Sequence, residues 1–472
     1  MKNKTIVKIA SLSLLGALTL GSAVIALKHS GALYEANAAT LPNKIDLNDS
    51  TESEIKDYYS SLSSLSEEER SGTNLLKNLK GIITNNVTYF SYDQVGSAYV
   101  ITDRDWKNSP ASEMANYDAS SNKITSFSHS NEVKNNPYLH LLYCDYTVKE
   151  KTQYKGDGDV STTQVTFDKE HVWSQSHGFN NGGDVLVGAG TDLHHLKAGT
   201  QYGNRTIHNN YSYGFVKAND GDWSDKEYET KNKRGEPLFP TEKDEQNKVF
   251  EPQDSDKGDI ARALLYMVAC YNNYDGSTPT EGNPALKLME YVVSDDSTGF
   301  SSEDLTKGYY GNLKDILAWH RMDPVDEFEI HRNNLIFKNY QHNRNPFIDY
   351  PQWVDYIWGT SVYDLKNKTL NYNSTSTGHA DLSKDEIYGY DGVTPIVPDD
   401  GSNNDSDTTP KENGNKIPSY VLYIAIGVVV VLVIIGIFAG VLTISKKGKV
   451  KVKKSGVKKA IKKASGSNKK KK

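Results

Sequence analysis

The sequence predicts an α+β fold: a mixed helical domain around a small strand-and-helix core, with one membrane-spanning helix near the C-terminus. Three stretches carry this. Ile260, Leu264, Met267 and Tyr271 recur at spacings of four, three and four, which puts them on one face of a helix over residues 258–274. Residues 165–172 alternate as a half-buried strand does. Residues 420–444 form an uncharged apolar run, and a helix of that length, at about 1.5 Å per residue, crosses a bilayer.

Taken in order, Lys2, Lys4 and Lys8 precede an apolar run over residues 9–27 and the small residues Ala36-Asn37-Ala38. A basic start, an apolar centre and an A-x-A site make residues 1–38 an export signal, with an uncleaved N-terminal anchor as the alternative. Residues 52–79 predict helix, with Leu62, Leu65, Leu75 and Leu76 among Glu and Lys and a break at Gly72. Residues 87–92 and 99–102 are rich in β-branched and aromatic side chains and predict short strands. Five glycines between Gly178 and Gly190 predict a loop, and a short helix over residues 198–209 would carry Asn204 and Arg205. Asp259 can cap the helix that follows, and residues 313–320 and 328–339 predict two more, separated by Asp323-Pro324.

The main domain then spans residues 52–358. Beyond Trp358 the composition turns to Asn, Ser, Thr, Asp and Pro, which bury too little apolar surface to order themselves. Residues 359–419 therefore predict a stalk, with a small ordered patch near residues 387–390. After the membrane span at residues 420–444, the tail at residues 445–472 holds fourteen lysines and no acid. The positive-inside rule puts this tail in the cytoplasm, against anionic lipid headgroups, and the main domain outside a single-pass cell-membrane protein.

Between Ala39 and Ser445, 36 basic residues face 59 acidic ones, a net charge of −23. Such a body does not draw polyanions from a distance, so chemistry on phosphate requires a local basic cleft and a bound cation. Two cysteines, Cys144 and Cys270, exclude a zinc ribbon. A disulfide is allowed outside the cell, but their apolar neighbours suit buried thiols equally, and both alternatives stand.

The densest chemistry lies in Phe167-Asp-Lys-Glu170-His171-Val-Trp-Ser-Gln-Ser-His177-Gly178, then Thr191-Asp192-Leu-His194-His195-Leu, then Gly203-Asn204-Arg205. A carboxylate, an adjacent imidazole and a carboxamide suit metal-assisted phosphodiester cleavage. The imidazole activates water, and the two oxygen-bearing side chains hold a hard divalent cation. Alone the Glu-His pair says little, because an isolated histidine is more often a surface or core residue than a base. Its company is more telling: five of the twelve histidines, His171, His177, His194, His195 and His208, fall in this one stretch. HExxH is absent, and no spacing demands zinc. Neighbours on a regular strand point to opposite faces, so Glu170 and His171 share a site only where the strand ends or bulges.

These motifs, in this order, resemble the endonuclease I family, nucleases with a ββα-metal (His-Me) finger. The resemblance runs from about residue 52 to residue 358. It continues through Lys257-Gly-Asp-Ile-Ala-Arg262-Ala-Leu-Leu-Tyr266, Trp319-His320, Asp323-Pro-Val, Arg332-Asn333 and Gln341-His-Asn-Arg344-Asn345-Pro-Phe-Ile-Asp349. It implies His171 as general base, with Glu170 and Asn204 binding magnesium, or manganese or calcium in its place. His195 and Asn209 are implied as supporting residues, DNA as substrate with RNA as a second, and slight sequence preference; no protein partner is implied. Relatives often carry an arginine three residues after the asparagine, where this chain has Ile207. Arg205 is the candidate substitute for phosphate contact. Arg344 is a second candidate, although its Pro-Phe-Ile neighbourhood reads first as packing. The rival readings are an inactive surface adhesin on the same fold and a metal-dependent phosphodiesterase for small molecules.

Overall fold

A computed structural model describes residues 38–114, 116–125, 138–144, 167–179, 187–200, 203–216, 242–244, 249–280, 282–291, 308–387, 442–444 and 450–452. The fold is mixed α and β, with helices around several small sheets.

Helix α1 (Glu52–Tyr58) starts where the Thr51 hydroxyl accepts from Glu54 N–H while the Glu54 carboxylate accepts from Thr51 N–H. This reciprocal bonding satisfies two donors that a helix end leaves orphaned. The expected break near Gly72 is real: α2 runs Gly72–Ile83 and buries Leu75, Leu76, Leu79 and Ile83. Helix α3 (Tyr92–Thr102) overturns the strands expected over residues 87–92 and 99–102. Ser91 and Gln94 form a second reciprocal cap, and Val95, Ala98, Tyr99 and Ile101 are buried along it. Burial and capping outweigh the weak β preference of those side chains.

Helix α4 (Asp254–Tyr271) is the axis of the domain, buried on every side from Asp256 onward. Its polar residues are tolerated there because they are paired. Arg262 bonds Glu329 through Nε and Nη2, Lys197 Nζ lies 2.7 Å from Asp259, and Lys257 Nζ lies 2.8 Å from Glu251. Against α4 pack α2, α5 (Leu313–Met322) and α7 (Pro346–Asp349), with α6 (Glu327–Asn339) on α7 and α8 (Trp353–Trp358) on α2.

The folded body does not stop at Trp358. Strand β3 (Thr360–Asp364) pairs antiparallel with β4 (Thr369–Asn373), Val362 opposite Asn371, and the hairpin packs on α5. Tyr363 stacks on Phe215 at 4.2 Å, Trp353 Nε1 donates to Asp385, and Ala380 and Ile387 are buried. Residues 359–387 were expected in the stalk. Their polar composition hid a ladder that satisfies its own backbone and a few aromatic contacts sufficient to hold it.

Cys144 and Cys270 are buried and form no disulfide, and burial pushes the Cys270 thiol well above its usual range. The described residues divide into two compact units between Asn403 and Asn404; in the second, Leu442–Ile444 pairs antiparallel with Val450–Val452. The expected export signal at residues 1–38 lies outside the described residues, apart from Ala38. So does the expected membrane span at residues 420–444, apart from Leu442–Ile444, which is strand. Among the described residues no helix is long and apolar enough to cross a membrane.

Candidate active site

Strand β1 (Phe167–His171) pairs antiparallel with β2 (Leu196–Thr200), Glu170 opposite Lys197 and His171 opposite Leu196. The expected strand is therefore present, and His171, still paired with Leu196, is its last residue. The expected helix over residues 198–209 is shorter and of another kind. The chain stays extended to Thr200, then Gly203–His208 makes one π-helical turn. Asn209 N–H closes it on Asn204 C=O at 3.0 Å, and Asn209 (φ 43°) and Asn210 (φ 65°) end it in the left-handed region that asparagine tolerates.

Glu170 is buried, 1% exposed, with two donors on one oxygen. Tyr143 Oη–H donates to Oε1 at 2.7 Å and His208 Nδ1–H at 2.8 Å. Oε2 has no hydrogen-bond partner among the described residues. Because His208 closes the turn that begins beside Asn204, the same bond ties that turn to Glu170. Asn204 is half-buried, and its carboxamide makes no hydrogen bond among the described residues. A buried carboxylate with one open oxygen, next to a turn carrying an uncommitted carboxamide, matches the donor set of a hard divalent cation.

His171 is half-buried at the strand end. Its Nε2 lies 2.9 Å from Gly190 C=O, and since a carbonyl accepts only, Nε2 carries the hydrogen and Nδ1 keeps its lone pair. The Gln175 amide nitrogen lies 3.0 Å from Nε2 and 3.3 Å from Nδ1, and water can replace the longer of these contacts. Burial pushes the imidazole down to about 4, so the ring is neutral at neutral pH. Tyr92 stacks on it at 5.6 Å and 14°, and Lys169 Nζ sits 3.7 Å from the centre of the Tyr92 ring.

The carbonyl that fixes this tautomer belongs to a tight turn, Ala189–Thr191. Gly188 leads into it at φ 119°, where a Cβ would come within 2.2 Å of Gly282 C=O, so only glycine fits. His195 is fully buried and supports the same turn: its Nε2 lies 2.7 Å from Ala189 C=O, while Trp173 N–H donates to its Nδ1 at 3.3 Å. Both nitrogens are engaged, and burial holds this ring well below the usual histidine range.

The two arginines differ. Arg205 is exposed and bonds Asp168 through Nε at 2.6 Å and Nη2 at 2.8 Å, on the outer side of the β1–turn junction. Arg344 is 1% exposed, with its guanidinium on both oxygens of Asp349, on Asn334 and on Ser50. Four of its five N–H donors are taken by buried partners and the side chain is closed to solvent, which places it in packing rather than at an exposed phosphate contact. The carboxylates of Asp259, Asp326 and Glu329 also converge, but Lys197 and Arg262 already neutralise two of them.

Sequence reading missed Tyr143, Gln175, Tyr92 and the Gly190 carbonyl. His208 lay in the histidine cluster without a role; Tyr143 gave no signal, since it approaches from 27 residues upstream of Glu170.

Residues 71–352 match the family described as Endonuclease I. The protein named Extracellular ribonuclease from Bacillus amyloliquefaciens is 34% identical over 289 residues, covering 61% of this chain and 75% of that protein. A protein of the same name from Bacillus subtilis (strain 168) is 34% identical over 217 residues, covering 45% of this chain and 60% of that protein. With the strand, the tight turn and the π-helical turn gathering the family's motif residues in one place, the chain belongs to the endonuclease I family of nucleases.

Proposed function

We propose that this protein is a membrane-anchored, extracellular nuclease that hydrolyses phosphodiester bonds of DNA and RNA with divalent-cation dependence and little sequence preference. The observation that carries this is Glu170, a buried carboxylate with both donors on Oε1 and with Oε2 open beside the turn of Asn204. The names of the two relatives support an extracellular site of action and add RNA to the DNA expected from sequence. The apolar run at residues 420–444 and its lysine-rich sequel support the anchor.

Glu170 Oε2 and Asn204 Oδ1 would hold the cation. Magnesium there supplies Lewis-acid stabilisation of the charge that develops on the phosphate. His171 does the proton work: with Nε2–H held on Gly190, its Nδ1 takes a proton from the attacking water. Depression of its pKa keeps that nitrogen unprotonated and available at neutral pH, at the cost of basicity. Tyr92 covers one face of the ring and limits its rotation. Arg205, at the rim, is the candidate for holding a flanking phosphate in exchange for Asp168. Contacts of this kind read backbone and carry no base information.

Incubating the purified protein with plasmid DNA and with ribosomal RNA, in magnesium, in manganese and in EDTA, tests this. Both polymers should be degraded with either metal and neither in EDTA; robust cleavage in EDTA would overturn the cation mechanism.

A further inference from the structure

Glu170 is held from behind by a closed group of rings. His208 is 2% exposed on the side chain, and its ring stacks on Tyr213 at 4.7 Å and 23°. Its Nε2 lies 3.1 Å from the Tyr310 hydroxyl and 3.2 Å from Tyr211 C=O, to which Tyr310 Oη–H also donates at 2.8 Å. The Tyr213 hydroxyl is 2.6 Å from that of Tyr143. Burial keeps the phenols of Tyr143 and Tyr213 well above their usual range, so they remain donors. Both donors of this group that reach Glu170 land on Oε1.

We propose that His208, assisted by Tyr143, is the positioning residue of the cation site. The terminal torsion of a glutamate is broad, with no strong preferred setting of its own. Two donors on Oε1 select one setting and leave Oε2 as the ligand atom. His208 also stands four residues after Asn204 on a single closed turn, so its bond to Glu170 sets the separation of the two ligand side chains. Donors on Oε1 draw charge from the carboxylate, which by itself weakens cation binding. Orientation outweighs this, since deleting such partners at metal sites costs about 10–100-fold in affinity. The inference rests on the reading of Glu170 and Asn204 as ligands.

Calorimetric titration of the full chain with Mn2+, without nucleic acid, tests it in four variants whose folding is checked by circular dichroism. His208→Ala should raise the Kd by about 10–100-fold. His208→Asn, which returns an N–H near the position of Nδ1, should recover most of that loss, a recovery that a merely space-filling role would not give. Tyr143→Phe should show a smaller loss, and Glu170→Ala the largest. Wild-type affinity in His208→Ala, with binding lost in Glu170→Ala, would overturn the proposal and leave the ligand reading intact. Wild-type affinity in Glu170→Ala would overturn the ligand reading itself. Should His208→Ala fail to fold, Tyr143→Phe and His208→Asn decide: unchanged affinity in the first, together with a Kd in the second as high as in Glu170→Ala, counts against the positioning role.

Discussion

His171 combines two properties that pull in opposite directions. Its neighbours free Nδ1 and keep the ring neutral, yet a pKa of about 4 makes that nitrogen a weak base. The pH dependence follows in sign. Burial disfavours the charged ring, so the pKa falls, and the accepting form persists to lower pH than for a solvent-exposed histidine. A rate profile at saturating magnesium should hold through the range around the ordinary histidine pKa and decline only as pH approaches about 4. A decline centred near the ordinary value of about 6.5 would show that the ring is not buried as described. At this scale the sequence offered Glu170, His171 and Asn204 as candidates by type and spacing. What stayed hidden were partners whose identity depends on folding. A backbone carbonyl such as that of Gly190 has no sequence signature, and Tyr143 is an ordinary tyrosine until the chain brings it to Glu170.

At the scale of elements, the block around Arg344 shows how one motif residue can look functional and be structural. Its guanidinium ties the segment after α6 to α7 through Asp349 and back to α6 through Asn334. Arg344→Ala leaves Asp349 buried without its cation, at a cost of about 3–5 kcal/mol for breaking a buried pair. Thermal unfolding should show a clear loss of stability, with the KM for nucleic acid unchanged in the folded fraction. An unchanged Tm with a raised KM would restore Arg344 as a phosphate contact. Element type was readable where periodicity was strong: α4, α5, α6 and β1 lie within a few residues of expectation. It failed for α3, where Ser91 and Gln94 carry a capping signature that local β preference obscured, and for the turn after β2, where strand continues to Thr200 before the chain coils.

For the whole molecule, the charge of −23 between residues 39 and 445 gives no long-range steering of a polyanion, which is why the proposed mechanism calls on a cation and on local contacts. Anchoring is argued from hydropathy and lysine asymmetry, which read directly from sequence because a bilayer imposes length and charge rules on any chain. Protease added to intact cells should release the nuclease domain and leave a small lysine-rich membrane fragment; a domain that stays protected would reverse the topology. The boundary of the domain was less legible, because the β3–β4 hairpin carries the Asn, Ser, Thr and Asp from which the stalk was expected. Across all three scales, the proposed mechanism rests on His171 as base and on Glu170 and Asn204 as ligands. Initial rates of DNA and RNA cleavage across a magnesium titration, in wild type, His171→Ala, Glu170→Ala and Asn204→Ala, test this most directly. His171→Ala should lose about 10²–10⁴-fold in rate at every magnesium concentration. Glu170→Ala and Asn204→Ala should need more magnesium and recover part of their rate at excess. Near-normal turnover in His171→Ala, or a defect there that magnesium repairs, would contradict the assignment.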